Sequence, residues 1–370
     1  MESARKLIRT VRNGHRVLII SAFLMVCVFQ PALGQSFTIR DLGTLPGGKS
    51  SHGNGINDRG QVVGSSDIGG GHTHAFLLKS GVMSDLGTLP GGSSSNAEGV
   101  NNRGQVVGSS DTGSGRSHAF LYEHGVMTDL GTLPGGIFSD AAAINERGQV
   151  VGNSYIPNAL FHAFLFEKGV MTDLGTLPGG TVSAAFGINN RGQVVGASTT
   201  ASGAYHAFLF EKGVMTELGT LPGGDYSIAS GINERGEVVG TSNTASGAYH
   251  AFLFKEGVMS DLGALPGGGY SSATGINNRG QVVGTATAGV VAFHAFLFKE
   301  GVMTDLGTLP GSSNSGANGI NERGQVVGDS RDGDAVLWTQ GRDDDDEDGD
   351  IRSRGRHDDD DDADYRSPAH

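Results

Sequence analysis

Four short apolar stretches recur along the chain, each closed off by Gly, Pro or Asn: one ends in GIN, and QVVG, HAFLF and GVMTDLG follow it. Val, Ile, Phe and Thr dominate them, and most stretches between glycines fall short of the ~10–12 residues a helix needs, so the pattern predicts β-strands throughout. The first two strands are joined through Asn-x-Arg-Gly and the last two through Glu-Lys-Gly or Lys-Glu-Gly, short loops suited to antiparallel hairpins. Each unit is thus predicted to be a four-stranded meander. HAFLF is apolar at successive positions, so both of its faces need cover. One meander cannot provide that alone, and neighbouring units must.

The unit length is constant. DLGTLPGG begins at Asp41 and returns at Asp85, Asp129, Asp173, Asp261 and Asp305, with Glu217 in the remaining slot, every interval being 44 residues. The GINxRGQVVG segment holds the same register, and HAF recurs at His74, His118, His162, His206, His250 and His294. A shortened seventh counterpart, Asp334 to Trp338, puts Asp where the others have His. Units of 40–50 residues with four strands fit propeller blades, whereas solenoid rungs usually take ~20–29 residues.

The phase at the two ends separates those architectures. Phe37 to Gly43 aligns with the fourth strand of a unit, and the repeats stop after Trp338, at the end of a third strand. A ring has reason to start one strand out of phase, because the first strand can complete the last blade. The expected fold is all-β, a seven-bladed β-propeller closed by its N-terminal strand. The HAF triplets, with GINxRGQVVG and LPGG, resemble the HAF-repeat family of probable extracellular repeat proteins over nearly all of residues 36–340. That resemblance implies export and repeat architecture, and no catalytic residue or substrate.

Composition sharpens the ends. Arg5, Lys6, Arg9, Arg12 and Arg16 precede an apolar run from Val17 to Phe29 and small residues at Ala32 and Gly34, the order of a secretory signal over residues 1–34. The run is shorter than the ~20 residues a membrane span needs. Cys27 lies inside it, after Val26 where a lipidation signal wants a small residue, so the mature chain is expected to lack cysteine. Residues 35–340 form the expected propeller, with 16 Lys/Arg against 25 Asp/Glu, and residues 341–370 an acidic disordered tail with 5 against 13. No basic patch survives removal of the signal, which argues against nucleic acid and anionic membranes as partners. The expected protein is a secreted or cell-surface monomer with no transmembrane segment and no cofactor.

Recurrence of His, Asp, Asn and Arg in almost every unit suits turns and inter-strand hydrogen bonds better than catalysis, which needs a local, asymmetric set of groups. Units differ after LPGG and between QVVG and HAF, two connections that lie on one face of a ring of meanders, the expected binding face. Phe161, Tyr205, Tyr249 and Phe293 precede HAF in four consecutive units, and Tyr226 and Tyr270 sit in the other variable loop. They are the candidate contacts to an extracellular carbohydrate, peptide or protein. A purely structural surface or matrix role is the alternative. A hydrolase or lyase would need unrepeated ionisable residues to converge, and Lys49, Asp140, Asp225 and Arg331 are the candidates. In the tail, Asp344, Asp346 and Asp348 copy the opening of a calcium loop, but Gly355 stands where its bidentate Glu belongs.

Overall fold

The computed structural model describes residues 37–341 except 158–159, 290–291 and 331–332, so the segment expected to be a signal, the acidic C-terminal segment with its calcium-like triplet, and Arg331 lie outside the described residues. The described chain forms seven four-stranded antiparallel sheets. In the first six, the strands of one repeat follow in chain order, as in Ser183–Ile188, Val194–Thr199, Tyr205–Glu211 and Val214–Gly219. The seventh joins Ser315–Ile320, Val326–Ser330 and Asp334–Gln340 to the N-terminal strand Phe37–Asp41. Ile39 pairs with Trp338 and Asp41 with Val336, so the ring closes in the expected way. The protein is a seven-bladed β-propeller.

The core lies between blades rather than inside any one of them. A typical cluster joins Val151 and Ala163 of the third blade, Leu174 and Leu177 of the linker, and Ala185, Val194 and Phe208 of the fourth, all buried. HAF is apolar at successive positions because its Ala and Phe are buried against blades on opposite sides: Ala163 contributes to this cluster and Phe164 to the one before. Buried serines staple the same junctions. Ser183 accepts the Ala163 amide at 2.9 Å and donates to Gly175 O at 2.5 Å, joining third strand, linker and next inner strand. At the closing junction Ser51 plays the same part, accepting from the Ala335 amide and donating to Gly43 O. The repeated His bonds within its own blade, to the carboxylate of DLG, as His162 Nδ1 does to Asp173 at 2.8 Å. That carboxylate also accepts the Gly175 amide, so the pair fixes the exit from the outer strand.

Each inner strand carries a β-bulge, with a register shift such as that between Ala185 and Gly187, in all seven blades. The glycine of VVG makes room for it. A Cβ on Gly196 would stand 2.0 Å from Ala184 O, and the equivalent glycines meet the same backbone within 1.8–2.0 Å.

Two hydrogen-bond rings circle the axis on the face of the NxRG turns. In one, the GIN asparagine of each blade donates to its counterpart's carbonyl in the next, from Asn57 to Asn101 O through to Asn321 to Asn57 O. In the other, each following residue's amide donates to the next blade's side chain, through Asp58, Asn102, Glu146, Asn190, Glu234, Asn278 and Glu322 and back to Asp58. Acid and amide alternate round this second ring.

Candidate functional site

The Ile of GIN, or Val100 in its place, forms an apolar waist on the axis, shared by two cavities. The cavity on the NxRG side, about 270 Å³, is ringed by the alternating acids and amides. The other, about 220 Å³, is lined by bulge residues including Asn54, Glu98, Ala142 and Asn318. A bulge re-aims a side chain out of the ladder, and here it frees one of the inner-strand positions whose identity changes from blade to blade.

The two variable connections do share a face, and they touch. Lys49 N donates to Asp67 Oδ2 at 3.1 Å, Thr181 N to Thr199 Oγ1 at 2.9 Å, and Asp225 N to Asn243 Oδ1 at 2.9 Å. The structure sorts the six candidate aromatics into three groups. Tyr205, Tyr226 and Tyr249 form a row, with ring centroids 6.5 and 5.5 Å apart at steep interplanar angles. Tyr270 meets Phe293 edge-on at 5.9 Å. Phe161 packs instead on Tyr155, which touches Phe138. Tyr205, Tyr249 and Phe293 keep 39%, 41% and 45% of their surface exposed, whereas burial and the neighbouring tyrosines push the Tyr226 phenol up.

Phe186, in the bulge of the fourth blade, escaped the sequence reading. It is 37% exposed and, with Phe161, Tyr205, Val182, Ala184, Ala197, Ile228 and Asn153, walls a cleft of about 280 Å³. Its signal was present as an aromatic at a position occupied elsewhere by Asn, Glu, Ala, Ser or Thr.

Of the four candidates for a catalytic cluster, Arg331 lies outside the described residues, and the other three do not gather. Lys49 and Asp225 sit in linkers of different blades and Asp140 lies on an inner strand; Asp225 is held by Asn243 Nδ2 at 2.6 Å. Other unrepeated ionisable groups do approach one another on this face. His52 Nδ1 stands 3.5 Å from Asp329 across the closing junction. Burial raises the Glu98 carboxyl to about 7, against a bond from Asn96 and with a smaller push from Asp140. Burial likewise raises Asp140, whose carboxylate is bonded by Ser109, and Asp329.

No family model and no curated protein matches the chain. Among solved structures it is similar to the β-propeller domain of the Trilobed protease from Pyrococcus furiosus, with 10% identity, 79% of this chain and 94% of that one covered, and a TM-score of 0.51. It is similar also to the acylaminoacyl peptidase of Pyrococcus horikoshii, with 10% identity, a TM-score of 0.50, and 78% of this chain against 52% of that one. The chain thus spans about half the peptidase. The likeness is one of fold, which serves binding and catalytic proteins alike. The Trilobed protease propeller is described as having an open velcro topology, whereas here the N-terminal strand closes the ring. Among the described residues no helix is long and apolar enough to cross a membrane.

Proposed function

We propose that this chain is an exported, non-catalytic binding module of the HAF-repeat kind, taking an extracellular carbohydrate, peptide or protein on its variable face. The observation that carries the reading is the row Tyr205, Tyr226 and Tyr249, which spans the fourth and fifth blades and keeps its outer members about two-fifths exposed. Rigid aromatic rings held edge to edge offer large contact area at little entropic cost. The order of charged, apolar and small residues at the N-terminus supports export, and the fixed 44-residue motif supports the family reading.

The non-catalytic part draws support from the spread of Lys49, Asp140 and Asp225 over different blades, whereas catalysis needs a local, asymmetric set of groups. Immobilised glycans and peptides, probed with the full chain and with the Tyr205→Ala/Tyr249→Ala double variant, test the reading. Ligands that the double variant no longer retains are the expected result; equal retention by both proteins would sink it.

A further inference from the structure

On the variable face a notch separates each pair of neighbouring blades. Its walls are the fourth residue of one blade's second strand and the second residue of the next inner strand. At three of the seven junctions polar residues on the two walls approach or bond one another: Thr241 Oγ1 lies 2.6 Å from Ser272 Oγ, Ser109 bonds Asp140, and His52 approaches Asp329. Between the third and fourth blades a polar wall faces an apolar one. Asn153 meets Ala184, and among the described residues the Asn153 carboxamide makes no side-chain hydrogen bond. The 280 Å³ cleft opens at this point, with Phe161, Phe186 and Tyr205 around it.

We propose that this cleft is the anchor subsite of the binding face, taking one large apolar side chain of a peptide segment while the Asn153 carboxamide bonds that segment's backbone amide. The proposal rests on the reading of the variable face as a binding surface, and it adds the ligand class and the residues that select it. A carboxamide offers one acceptor and two donors in a plane, the complement of a peptide N–H and C=O. Every other wall of the cleft is apolar or aromatic. A sugar ring would bring several hydroxyls into this cleft with one partner among them, and unpaired buried polar groups cost about 1–3 kcal/mol each. The volume falls just below the ~300–1,000 Å³ of sites that enclose whole small molecules, which suits a single side chain.

Charge narrows the segment. On this face the third to fifth blades carry no Lys or Arg, while Asp225 stands in the connection between the fourth and fifth blades. Lys or Arg beside the anchor is therefore favoured and Asp or Glu disfavoured. Tyr205 both walls the cleft and begins the row to Tyr249, so a segment leaving the cleft has an aromatic track to follow.

The test is saturation-transfer NMR on the full chain with acetyl-Gly-Lys-Phe-Lys-Gly-amide, the same peptide with Ala for Phe, and methyl β-glucopyranoside, each at millimolar concentration. Variants borrowed from neighbouring blades protect the fold: Ala184→Ile copies Ile228, Phe186→Ser copies Ser230 and Asn153→Ser copies Ser109. Transfer should be strongest to the Phe ring. Replacing Phe by Ala in the peptide, or introducing Ala184→Ile or Phe186→Ser, should weaken binding by roughly tenfold or more, and Asn153→Ser by about three- to tenfold. Tm should stay within a few degrees of the parent. Equal binding of the two peptides, transfer to the glycoside alone, or no transfer to any probe would overturn the proposal. Binding lost in Tyr205→Ala/Tyr249→Ala but intact in Ala184→Ile would overturn the anchor and leave the wider face standing. Binding indifferent to all these changes would remove both.

Discussion

The side chain of Asn321 donates to the backbone carbonyl of Asn57 at 3.0 Å, across a separation of 264 residues. It is the closing member of a ring whose other six bonds each span 44 residues. Each member also shapes its own turn. Asn189 donates to Gln193 Oε1 and Asn233 O and accepts the amides of Arg191 and Gln193. Asn189→Ala leaves several buried groups unpaired and should cost about 2–4 kcal/mol. Asn189→Asp keeps both acceptor roles and, when protonated, supplies one donor in place of two, so it should cost less than Ala at pH values where Asp is protonated. Denaturant midpoints for the two variants check the order.

The N-terminal strand can be locked. Thr38 pairs with Thr339, their hydroxyls 3.5 Å apart, and Cys27 is the sole cysteine in the sequence. The Thr38→Cys/Thr339→Cys variant should oxidise to a bridge that raises stability by a few kcal/mol, up to about 5. The gain should vanish on reduction, and the oxidised chain should migrate faster on a non-reducing gel. Failure to oxidise would count against the paired strand.

Alternation of acid and amide on the axis implies a penalty for breaking it. Asn190 stands between Glu146, whose amide it accepts, and Glu234, which accepts its own. Asn190→Asp places three carboxylates in succession and should destabilise by about 1 kcal/mol at low salt, with much of the loss recovered at high ionic strength. Glu146→Gln should show a smaller effect, or a gain, under the same conditions. Thermal melts at two salt concentrations are sufficient.

Glu98 makes stability depend on pH in an uncommon direction for a carboxyl. Its pKa rises from 4.5 to about 7 on folding, so between those values the folded chain holds the proton more tightly than the unfolded one. Stability is then greatest below about pH 4.5 for this group, declines as pH climbs through 7, and levels off above it. The decline should amount to about 3 kcal/mol, given the rise from 4.5 to about 7. Asp140 and Asp329 are shifted the same way and add to it. Glu98→Gln should flatten the profile and be more stable than the parent at pH 8, as urea unfolding across pH 4–8 would report.

The blade and the ring were legible because a period of 44 residues and a one-strand offset are properties of the chain alone. Pairing of Phe37–Asp41 with Asp334–Gln340 follows from that offset, and the shared face of the two variable connections follows from the meander. The aromatic row was legible as composition but not as grouping. Whether Phe161 meets Tyr205 or Tyr155 depends on the angle between blades, and the structure gives it to Tyr155. Phe186 and Glu98 were hidden because a bulge has no periodicity of its own. A strand read with period two assigns such a residue to one face or the other, while the bulge turns it towards the axis or the cleft. Asp140 was noticed for being unrepeated, but its partner Ser109 belongs to the blade before, and no spacing within one unit discloses a contact between two.

Two kinds of residue can take turns round a circle without conflict only when the circle has an even number of places. Seven is odd, so one like pair is forced, and it falls where the Glu322 amide donates to the Asp58 carboxylate. That is the junction between the last blade and the first, the one the N-terminal strand also serves. A version of this propeller with six or eight blades could resolve the mismatch. With seven, the ring keeps a single frustrated joint, and that joint tells one blade from the rest in a molecule whose blades are otherwise close copies.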